Sequence, residues 1–175
     1  MKGLILPHKG IVPRLDDSVF VAPSASIVGD VSVGAETSVW YGAVVRGDVM
    51  PIRIGARTSI QDNAVIHATG GWAETLVGDE VTVGHGVILH GCRIGSRVLV
   101  GMGSIVLDDA EIGEGSLLGA GSLVTARTKI PPGVLAHGRP ARVARELRPD
   151  ELENVLEASR QYVRYAREHR ESIAR

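Results

Sequence analysis

Three of the six histidines in this chain lie close together in the sequence, at His67, His85 and His90. Imidazole nitrogens are common zinc ligands, and three of them leave a fourth coordination position open for water or a substrate, as catalytic zinc sites require. A single histidine is more often a packed or surface residue than a ligand. The three residues therefore indicate a metal centre only where the fold brings their rings around one point.

Four other polar residues precede these histidines and could share their chemistry: Arg46, Asp48, Gln61 and Asp62. Paired arginine and carboxylate groups can set the register of a subunit interface, so we interpret Arg46, Asp48 and Asp62 as mainly structural. Gln61 is the better candidate for contact with a reacting group, because an amide can orient a metal-bound water without gaining or losing a proton.

The elements that must position these residues follow a repeat of six residues. A period of six matches neither the helical period of 3.6 nor the turn chemistry of ordinary alternating strands, and an irregular β-sandwich would not keep it in phase for so long. The period is typical of a parallel β-helix with three sides, one hexapeptide on each side, and aliphatic residues pointing inward. The aliphatic residues that keep this phase are Val21, Ile27, Val33, Val39, Val45, Ile54, Ile60, Ile66, Val77, Val83, Leu89, Ile94, Val100, Val106, Ile112, Leu118, Val124 and Ile130.

The hexapeptides are similar to those of the left-handed β-helix family, an exception to the usual right-handed crossover between parallel strands. We therefore predict an all-β fold, a left-handed parallel β-helix of about six coils followed by a C-terminal α-helix. The β-helix domain, with an N-terminal cap segment, is expected over residues 1–146. The helix is expected over residues 147–175 and would pack on the prism or on a neighbouring subunit, because apolar residues follow the helical period from Pro149 onward.

The repeat predicts where the three histidines lie on the coils. His67 and His90 each follow an inward aliphatic residue on the same side of successive coils, so they should stack in one column about 4.8 Å apart. His85 belongs to the preceding side, across a corner, so one chain should not bring all three rings to one ion. A second copy of the chain could supply the third ring at each interface of a threefold homotrimer.

Composition excludes several classes of protein. The net charge is −1, with 19 Lys and Arg against 20 Asp and Glu, which leaves no electrostatic basis for nucleic-acid binding. The single cysteine, Cys92, cannot form a disulfide within the chain, and no stretch is long and apolar enough to span a bilayer. We therefore expect a cytoplasmic protein that neither enters a membrane nor binds nucleic acid.

These motifs together resemble the γ-class carbonic anhydrase family and its close bacterial relatives. Hexapeptides alone are shared with many acyltransferases, so the spacing of the three histidines carries most of the specificity. The resemblance extends over about residues 13–165. It rests on Arg46-Gly47-Asp48, residues 61–67 (QDNAVIH), Val83-Gly84-His85, Leu89-His90-Gly91-Cys92, Val100-Gly101-Met102-Gly103-Ser104 and Gly119-Ala120-Gly121-Ser122.

The resemblance implies a reaction, a metal and an assembly. The reaction is the reversible hydration of carbon dioxide to bicarbonate by a zinc-bound hydroxide at the subunit interface of a homotrimer. The resemblance implies that His67 and His90 of one subunit and His85 of its neighbour hold the zinc. Iron or cobalt also occurs in the family, and three histidines do not select between these metals.

The resemblance also implies roles for the other polar residues. Gln61 would orient the hydroxide, and Arg46 with Asp48 and Asp62 would hold the trimer together. Tyr162 is a candidate to approach the site from the C-terminal helix, as a tyrosine does in relatives, although core packing is its favoured role.

The chain departs from the family archetype in two places. Val49 stands where the archetype has a glutamate after the aspartate of its arginine motif. The archetype also has an acidic proton-shuttle loop after the first histidine, and residues 68–74 (ATGGWAE) replace it here. Glu74 is the one carboxylate of that segment and a candidate shuttle, whereas Trp72 is expected to pack. Cys92 is expected to be a small buried residue.

Three other functions fit the same fold. An acyltransferase would use one histidine as a general base and bind coenzyme A between subunits without a metal. A metal-dependent acyl-CoA thioesterase would use the same three histidines. A trimeric scaffold with weak or no catalytic activity would keep the fold but need no open metal position. Three convergent histidines favour a metalloenzyme over the first and third of these.

Overall fold

The computed structural model describes residues 3–174, so Met1, Lys2 and Arg175 of the two expected ranges lie outside the described residues. Most of the strands are only two or three residues long, as expected for short sides between tight corners. In chain order the elements are β1 (Leu4–Leu6), β2 (Arg14–Leu15), β3 (Phe20–Val21), β4 (Ser26–Val33), β5 (Ser38–Val39), β6 (Val44–Ile54), β7 (Ser59–Ile60), β8 (Val65–His67), β9 (Thr75–Val77), β10 (Thr82–Val83), β11 (Ile88–His90), β12 (Arg93–Ile94), β13 (Leu99–Val100), β14 (Ile105–Val106), β15 (Glu111–Ile112), β16 (Leu117–Leu118), β17 (Leu123–Val124), β18 (Lys129–Ile130), β19 (Val134–Gly138), β20 (Ala141–Glu146) and α1 (Pro149–Ala174).

The strands stack in parallel into a left-handed β-helix with three sides, as the sequence predicts. The first side holds β1, the beginnings of β4 and β6, and then β8, β11, β14 and β17. The second side holds β2, the ends of β4 and β6, and then β9, β12, β15 and β18. The third side holds β3, β5, β7, β10, β13, β16 and β19, and β20 then pairs antiparallel to β19.

Each side has seven strand layers, so the β-helix has about seven coils and the expectation of six is one coil short. The strands beyond the predicted series are β1 and β2 at the start, which pair in parallel with β4, and β19 at the end, which pairs in parallel with β16. The segment expected to be an N-terminal cap therefore supplies two of the three strands of the first coil of the β-helix. An end layer has a neighbour on one side only, so its residues do not need the inward aliphatic pattern, and Leu4 and Leu6 are exposed.

The core is a stack of aliphatic layers along the axis of the prism. Every predicted inward residue is buried except Val21, which is half-buried in the first coil. Inward residues of successive coils pair in register, as Val45, Ile66 and Leu89 do on the first side. Each fully buried side chain of this kind stabilises the fold by about 1.5–3 kcal/mol relative to an exposed one. This burial holds the corners, and hence the histidines, in place.

The outer surfaces of the three sides differ in character. Outward residues of the second side are mostly charged: Arg53, Leu76, Arg93, Glu111 and Lys129. Outward residues of the first side form an aliphatic ladder in which Val65 and Ile88 are exposed and the other members half-buried. The members of this aliphatic ladder are Val44, Val65, Ile88, Ile105 and Leu123.

Helix α1 of the same chain packs on the first four strands of the third side, β3, β5, β7 and β10. The helix buries Val155, Ser159 and Ala166, so the expected apolar stripe faces the prism of its own subunit. Near its start, the Glu151 carboxylate accepts hydrogen bonds from both terminal guanidinium nitrogens of Arg145, at 2.6 and 2.8 Å.

Among residues 3–174, no helix is both long enough and apolar enough to cross a membrane.

Candidate metal centre

His67 and His90 end strands β8 and β11 at the same corner, where the first side meets the second, and they are direct partners in the parallel register. Their ring centroids lie 5.2 Å apart, and His67 Nδ1 lies 3.2 Å from His90 Nε2. The structure thus places these two histidines in one column, as the repeat predicts. Both rings are partly exposed, with side-chain exposures of 17% and 30%, so the facing nitrogens can be reached from outside the prism.

The outer nitrogen of each of these rings is bonded to a carboxylate. His67 Nε2 lies 3.0 Å from Asp48 Oδ1, and His90 Nδ1 lies 3.0 Å from Asp108 Oδ1. An ionised carboxylate only accepts hydrogen bonds, so each outer nitrogen carries the hydrogen. In neutral rings, the two facing nitrogens therefore both present lone pairs. Two lone pairs at 3.2 Å repel one another unless a cation or a proton lies between them.

The donor geometry of this corner fits zinc. Two nitrogens bound to one tetrahedral zinc at about 2.0–2.1 Å lie about 3.3–3.4 Å apart, close to the 3.2 Å between His67 Nδ1 and His90 Nε2. A carboxylate on the second nitrogen of a ligating imidazole is the usual outer shell of a zinc site, because it fixes the tautomer and raises the basicity of the ligand. Asp48 and Asp108 occupy this position on the two rings.

Asp48 is held between a histidine and an arginine. Its second oxygen, Oδ2, accepts a hydrogen bond of 2.5 Å from Arg46 Nη1. Burial raises the pKa of the Asp48 carboxyl, but the hydrogen bonds from His67 and Arg46 outweigh burial, and the pKa lies below its usual range. Asp48 is therefore ionised at neutral pH. We expected Arg46 and Asp48 to be mainly structural; within the protomer, Asp48 also bonds a ring of the candidate centre.

His85 lies at the opposite corner of the first side, between β10 and β11, and its carboxylate partner is Asp62. The distance from His85 Nδ1 to Asp62 Oδ2 is 2.9 Å. The two residues sit on adjacent coils, because Val83 pairs with Ile60 in register and each polar residue follows its inward residue by two positions. Gln61 precedes Asp62 and is 5% exposed, with its backbone NH bonded to Val83 O.

The three histidines do not converge within one protomer. Among residues 3–174, no group of three or more histidine, cysteine, aspartate or glutamate side chains is arranged to hold a metal ion. His67 and His90 form one half of the candidate centre, and His85 lies across the width of the first side in the other half. We refer to these as the two-histidine corner and the one-histidine corner.

Tyr162 reaches the prism from α1 on the side of the one-histidine corner. Its ring packs edge-on against Trp40, with centroids 5.5 Å apart. Burial raises the pKa of the Tyr162 phenol, and the negative charge of Asp62 raises it further. The structure therefore places Tyr162 in an aromatic cluster beside the one-histidine corner, which agrees with its favoured role in packing.

The loop of residues 68–74 differs from expectation in two details. The Glu74 carboxylate lies 3.4 Å from Arg93 on the second side of the prism, so this candidate shuttle is paired with a surface arginine. Trp72, expected to pack, is 51% exposed, and its ring instead lies under the guanidinium of Arg127, 5.5 Å from the centroid. An isolated antiparallel bridge between Thr69 and Ala73 bends the loop back on itself, with Trp72 inside the bend.

Cys92, two residues after His90, is fully buried in the core. Burial raises the pKa of the Cys92 thiol to about 12. At neutral pH this residue is a protonated, inaccessible thiol, so the expectation of a small buried side chain is confirmed.

Asp108 is the residue of this corner that sequence reasoning missed. It lies one coil beyond His90, 18 residues further along the chain, and a polar residue at that spacing was the available signal. The signal is weak, because the six-residue repeat is one residue short between Leu89 and Ile94. The residues that stack on one another at this corner are therefore offset by one position in the next coil. Only the folded coils bring the Asp108 carboxylate onto the ring of His90.

Comparison with protein families agrees with the architecture. The family profile described as Bacterial transferase hexapeptide (six repeats) matches residues 91–126. The matched residues begin after His90, so this match concerns the hexapeptide repeat and not the three histidines.

Curated relatives are similar over most of the chain. A carbonic anhydrase of Geobacillus kaustophilus is 47% identical over 160 residues, covering 91% of this chain and 87% of the relative. A probable carbonic anhydrase of Methanocaldococcus jannaschii is 50% identical over 150 residues, covering 86% and 94%. Gamma carbonic anhydrase 2, a mitochondrial protein of Arabidopsis thaliana, is 42% identical over 162 residues, covering 90% of this chain. The chain spans 58% of the length of that Arabidopsis relative.

Two solved structures share the whole fold but carry names from another class of enzyme. A Bacillus cereus protein, provisionally named an acetyltransferase, has a TM-score of 0.94 and 46% identity, covering 97% of this chain and 98% of its own. A hexapeptide transferase family protein from Anaplasma phagocytophilum has a TM-score of 0.90 and 42% identity, covering 94% and 96%.

Proposed function

We propose that this chain hydrates carbon dioxide reversibly at a zinc centre shared between subunits of a homotrimer. The chain belongs to the γ-carbonic anhydrase family, and the proposal starts from that membership. The observation that carries the proposal is the pair of facing nitrogens on His67 and His90, 3.2 Å apart. Each ring has a carboxylate on its other nitrogen. A purely structural histidine pair has no need of two lone pairs aimed at one point.

The surfaces of the prism support the trimer. The second side is charged and α1 packs on the first four strands of the third, whereas the first side presents the aliphatic ladder, in which Val65 and Ile88 are exposed. The two corners of the candidate centre flank this ladder, with His67 and His90 on one edge and His85 on the other. A threefold cyclic assembly would bury the ladder of every copy and could bring the two-histidine corner of one chain to the one-histidine corner of the next.

His67 Nδ1, His90 Nε2 and the His85 of a neighbouring subunit would hold the metal. When bound by three imidazoles, zinc lowers the pKa of water from about 15.7 to about 7 and so supplies a nucleophile at neutral pH. Asp48 and Asp108 keep a hydrogen on the outer nitrogens of their rings, which leaves the inner nitrogens free to ligate. At the other corner, Asp62 Oδ2 lies 2.9 Å from His85 Nδ1, within ion-pair distance.

The remaining polar groups would orient the reactants. Gln61 lies directly before Asp62 at the one-histidine corner, where its amide could hold the attacking water by a hydrogen bond without titrating. Arg46 bonds Asp48 and is 44% exposed on its side chain, so in the trimer its remaining donors can pair across the interface. Glu74 is engaged with Arg93, which leaves the exit route of the product proton to water or to buffer.

Group transfer is the competing function, because two solved relatives carry transferase names. An acyltransferase needs one histidine as a general base, whereas three histidines here each have a carboxylate partner. An acyl-CoA thioesterase that uses the same metal would keep all three histidines, so the substrate rather than the metal content separates it from an anhydrase.

The test combines metal analysis with two assays. The protein is purified without added metal, its zinc, iron and cobalt contents are measured, and carbon dioxide hydration is followed by stopped-flow with the metal-free and the reconstituted protein. We expect one metal per chain and hydration that depends on it. Metal content below one per three chains together with tight binding of acetyl-CoA would contradict the proposal, and metal-dependent hydrolysis of acetyl-CoA without hydration would replace it with thioesterase activity.

A further inference from the structure

Asp108 makes two hydrogen bonds with one oxygen at the edge of the two-histidine corner. Asp108 Oδ1 lies 3.0 Å from His90 Nδ1 and accepts a hydrogen bond of 2.9 Å from Thr69 Oγ1. Thr69 belongs to the loop of residues 68–74, and Asp108 follows β14 on the next coil. One carboxylate oxygen thus joins a ring of the candidate centre to the inserted loop.

The absence of a side chain at Gly91 leaves space for this carboxylate. A Cβ atom on Gly91, the residue after His90, would lie 2.1 Å from Asp108 Oδ1 and 2.9 Å from the Cβ of Ala73. Gly91 also has φ of 57°, a conformation that favours glycine. The chain at this point accommodates a carboxylate in direct contact with His90.

The backbone that carries the two rings is separately fixed. Gly91 N donates to Thr75 Oγ1 at 2.9 Å and to His67 O at 3.2 Å, and Thr75 Oγ1 in turn donates to His67 O at 2.5 Å. Thr75 is fully buried. Because these bonds already set the positions of the two ring-bearing residues, the role that remains for Asp108 concerns the imidazole of His90, namely its rotation and the nitrogen that carries its hydrogen.

We propose that Asp108 is the positioning residue for His90, that it holds the tautomer with the hydrogen on Nδ1 and so directs Nε2 toward the metal, and that Thr69 anchors it. This inference rests on the proposed metal function and adds to it a residue outside the set of ligands. It also gives the inserted loop a role, because the loop supplies the hydroxyl that keeps the Asp108 carboxylate from turning away.

Three variants separate positioning from a structural role. Asp108→Ala removes the acceptor, Asp108→Asn keeps an oxygen that can accept from both partners but removes the charge, and Thr69→Val removes the anchoring hydroxyl at nearly constant shape. Asp109→Asn is the matched control, since it removes the same charge one residue away, and its φ of 56° suits asparagine.

The first measurement uses the metal-free protein, so it does not depend on catalysis. Nitrogen-15 NMR of the imidazole reports which nitrogen of His90 carries the hydrogen. We expect wild type, Asp109→Asn and Asp108→Asn to hold the hydrogen on Nδ1. In Asp108→Ala the hydrogen should move to Nε2, because it can then be donated to the lone pair of His67 Nδ1, 3.2 Å away. A merely structural role for Asp108 would not alter this signal.

The second measurement is the affinity for Co²⁺, by competition with a chelator, together with the visible spectrum of the bound ion. Loss of an outer-shell carboxylate typically weakens metal binding 10–100-fold, and we expect that loss in Asp108→Ala. A smaller loss is expected in Asp108→Asn, about threefold in Thr69→Val, and less than twofold in Asp109→Asn. The Co²⁺ spectrum should change in Asp108→Ala and not in Asp109→Asn.

The outcomes distinguish the two levels of the proposal. A wild-type protein that binds no Co²⁺ would contradict the proposed function, whereas the tautomer measurement would still decide the role of Asp108. Wild-type affinity, spectrum and tautomer in Asp108→Ala would overturn the inference. Should Asp108→Ala not fold, Asp108→Asn and Thr69→Val decide it, since unchanged Co²⁺ affinity and spectrum in both would overturn it as well.

Discussion

The two corners of the first side differ in how much of the candidate centre each one builds. At the two-histidine corner, His67 and His90 stack on successive coils with their facing nitrogens 3.2 Å apart, and each ring has its own carboxylate. At the one-histidine corner, His85 stands with Asp62. The adjacent coil contributes a carboxylate there instead of a second imidazole.

The difference shows how a β-helix limits what one chain can assemble. Side chains stack only along a column at the same corner, and a column offers ligands from one direction. A tetrahedral ion needs donors from several directions, so in the proposed centre a third ring would have to come from another surface. The aliphatic ladder lies between the two corners, and in the proposed trimer its burial between chains would join the unequal halves.

The strongest test of this division removes one histidine from each corner, in separate variants of the chain. His67→Ala and His85→Ala should each abolish metal binding and hydration, because every site of a pure trimer loses one ligand. Mixing equal amounts of the two variants under exchange of subunits should restore about one quarter of the sites, since a site needs its two-histidine corner from one variant and its one-histidine corner from the other. Metal content and stopped-flow rates measure the recovery.

The matched control is a mixture of His67→Ala with His90→Ala. Both changes fall on the two-histidine corner, so no combination of these chains contains an intact site, and nothing should be recovered. Recovery in this control, or its absence in the first mixture once subunits exchange, would contradict a site divided between the corners.

A second prediction separates the corners by removing the contact between chains. Ile88→Asp places a charge in the middle of the aliphatic ladder, and burying it without a partner costs several kcal/mol. We expect monomers by light scattering and a loss of metal, with the β-helix intact by circular dichroism. Leu76→Asp, the same kind of change at an outward position of the second side, should leave both properties unchanged. A trimer that survives Ile88→Asp would mean that another surface joins the chains.

A third prediction concerns Tyr162 beside the one-histidine corner. Its ring packs on Trp40, so Tyr162→Phe should keep the fold and the metal, and should change hydration by less than about twofold. Tyr165→Phe, on the outer face of the same helix, provides the comparison. A tenfold fall confined to Tyr162→Phe would instead assign the phenol a place among the reacting groups.

The smallest expected effect lies at the start of α1, which covers the third side next to the one-histidine corner. Hydrogen bonds from Arg145 and from the backbone NH of Arg148 lower the pKa of Glu151 to about 2. Because the folded-state pKa is lowered, Glu151 stabilises the fold above its unfolded pKa of about 4.3, and this contribution disappears as the pH falls toward about 2.

The melting temperature of Glu151→Gln should therefore lie about 1–3 °C below that of wild type at pH 6–7, and the gap should narrow below about pH 4.3. Glu153→Gln, which removes an exposed partner of Arg160, serves as the control and should show a smaller gap. A gap that stays constant down to pH 3 would contradict the assignment of the lowered pKa to Glu151. Metal binding at the two-histidine corner should not respond to either variant.

Much of the fold and part of the site follow from the repeat alone. The six-residue phase predicts the inward residues, the three sides and the column of His67 and His90, because inward side chains must stack from coil to coil. The phase does not reveal β1 and β2, since these strands lie at an open end where residues such as Leu4 need not be buried. It also does not show that Trp72 lies exposed under Arg127, because the inserted loop leaves the repeat.

The sequence by itself determined the periodic part of this protein: a three-sided parallel prism, two histidines on one column and a third across a corner. Tertiary structure alone decided which carboxylate bonds which ring, because hydrogen bonds depend on tenths of an ångström that a register does not specify. Asp48 on His67 and Asp108 on His90 come from different coils. Their carboxylates reach the rings because the insertion before Ile54 and the missing residue after Leu89 change the path of the backbone at this corner.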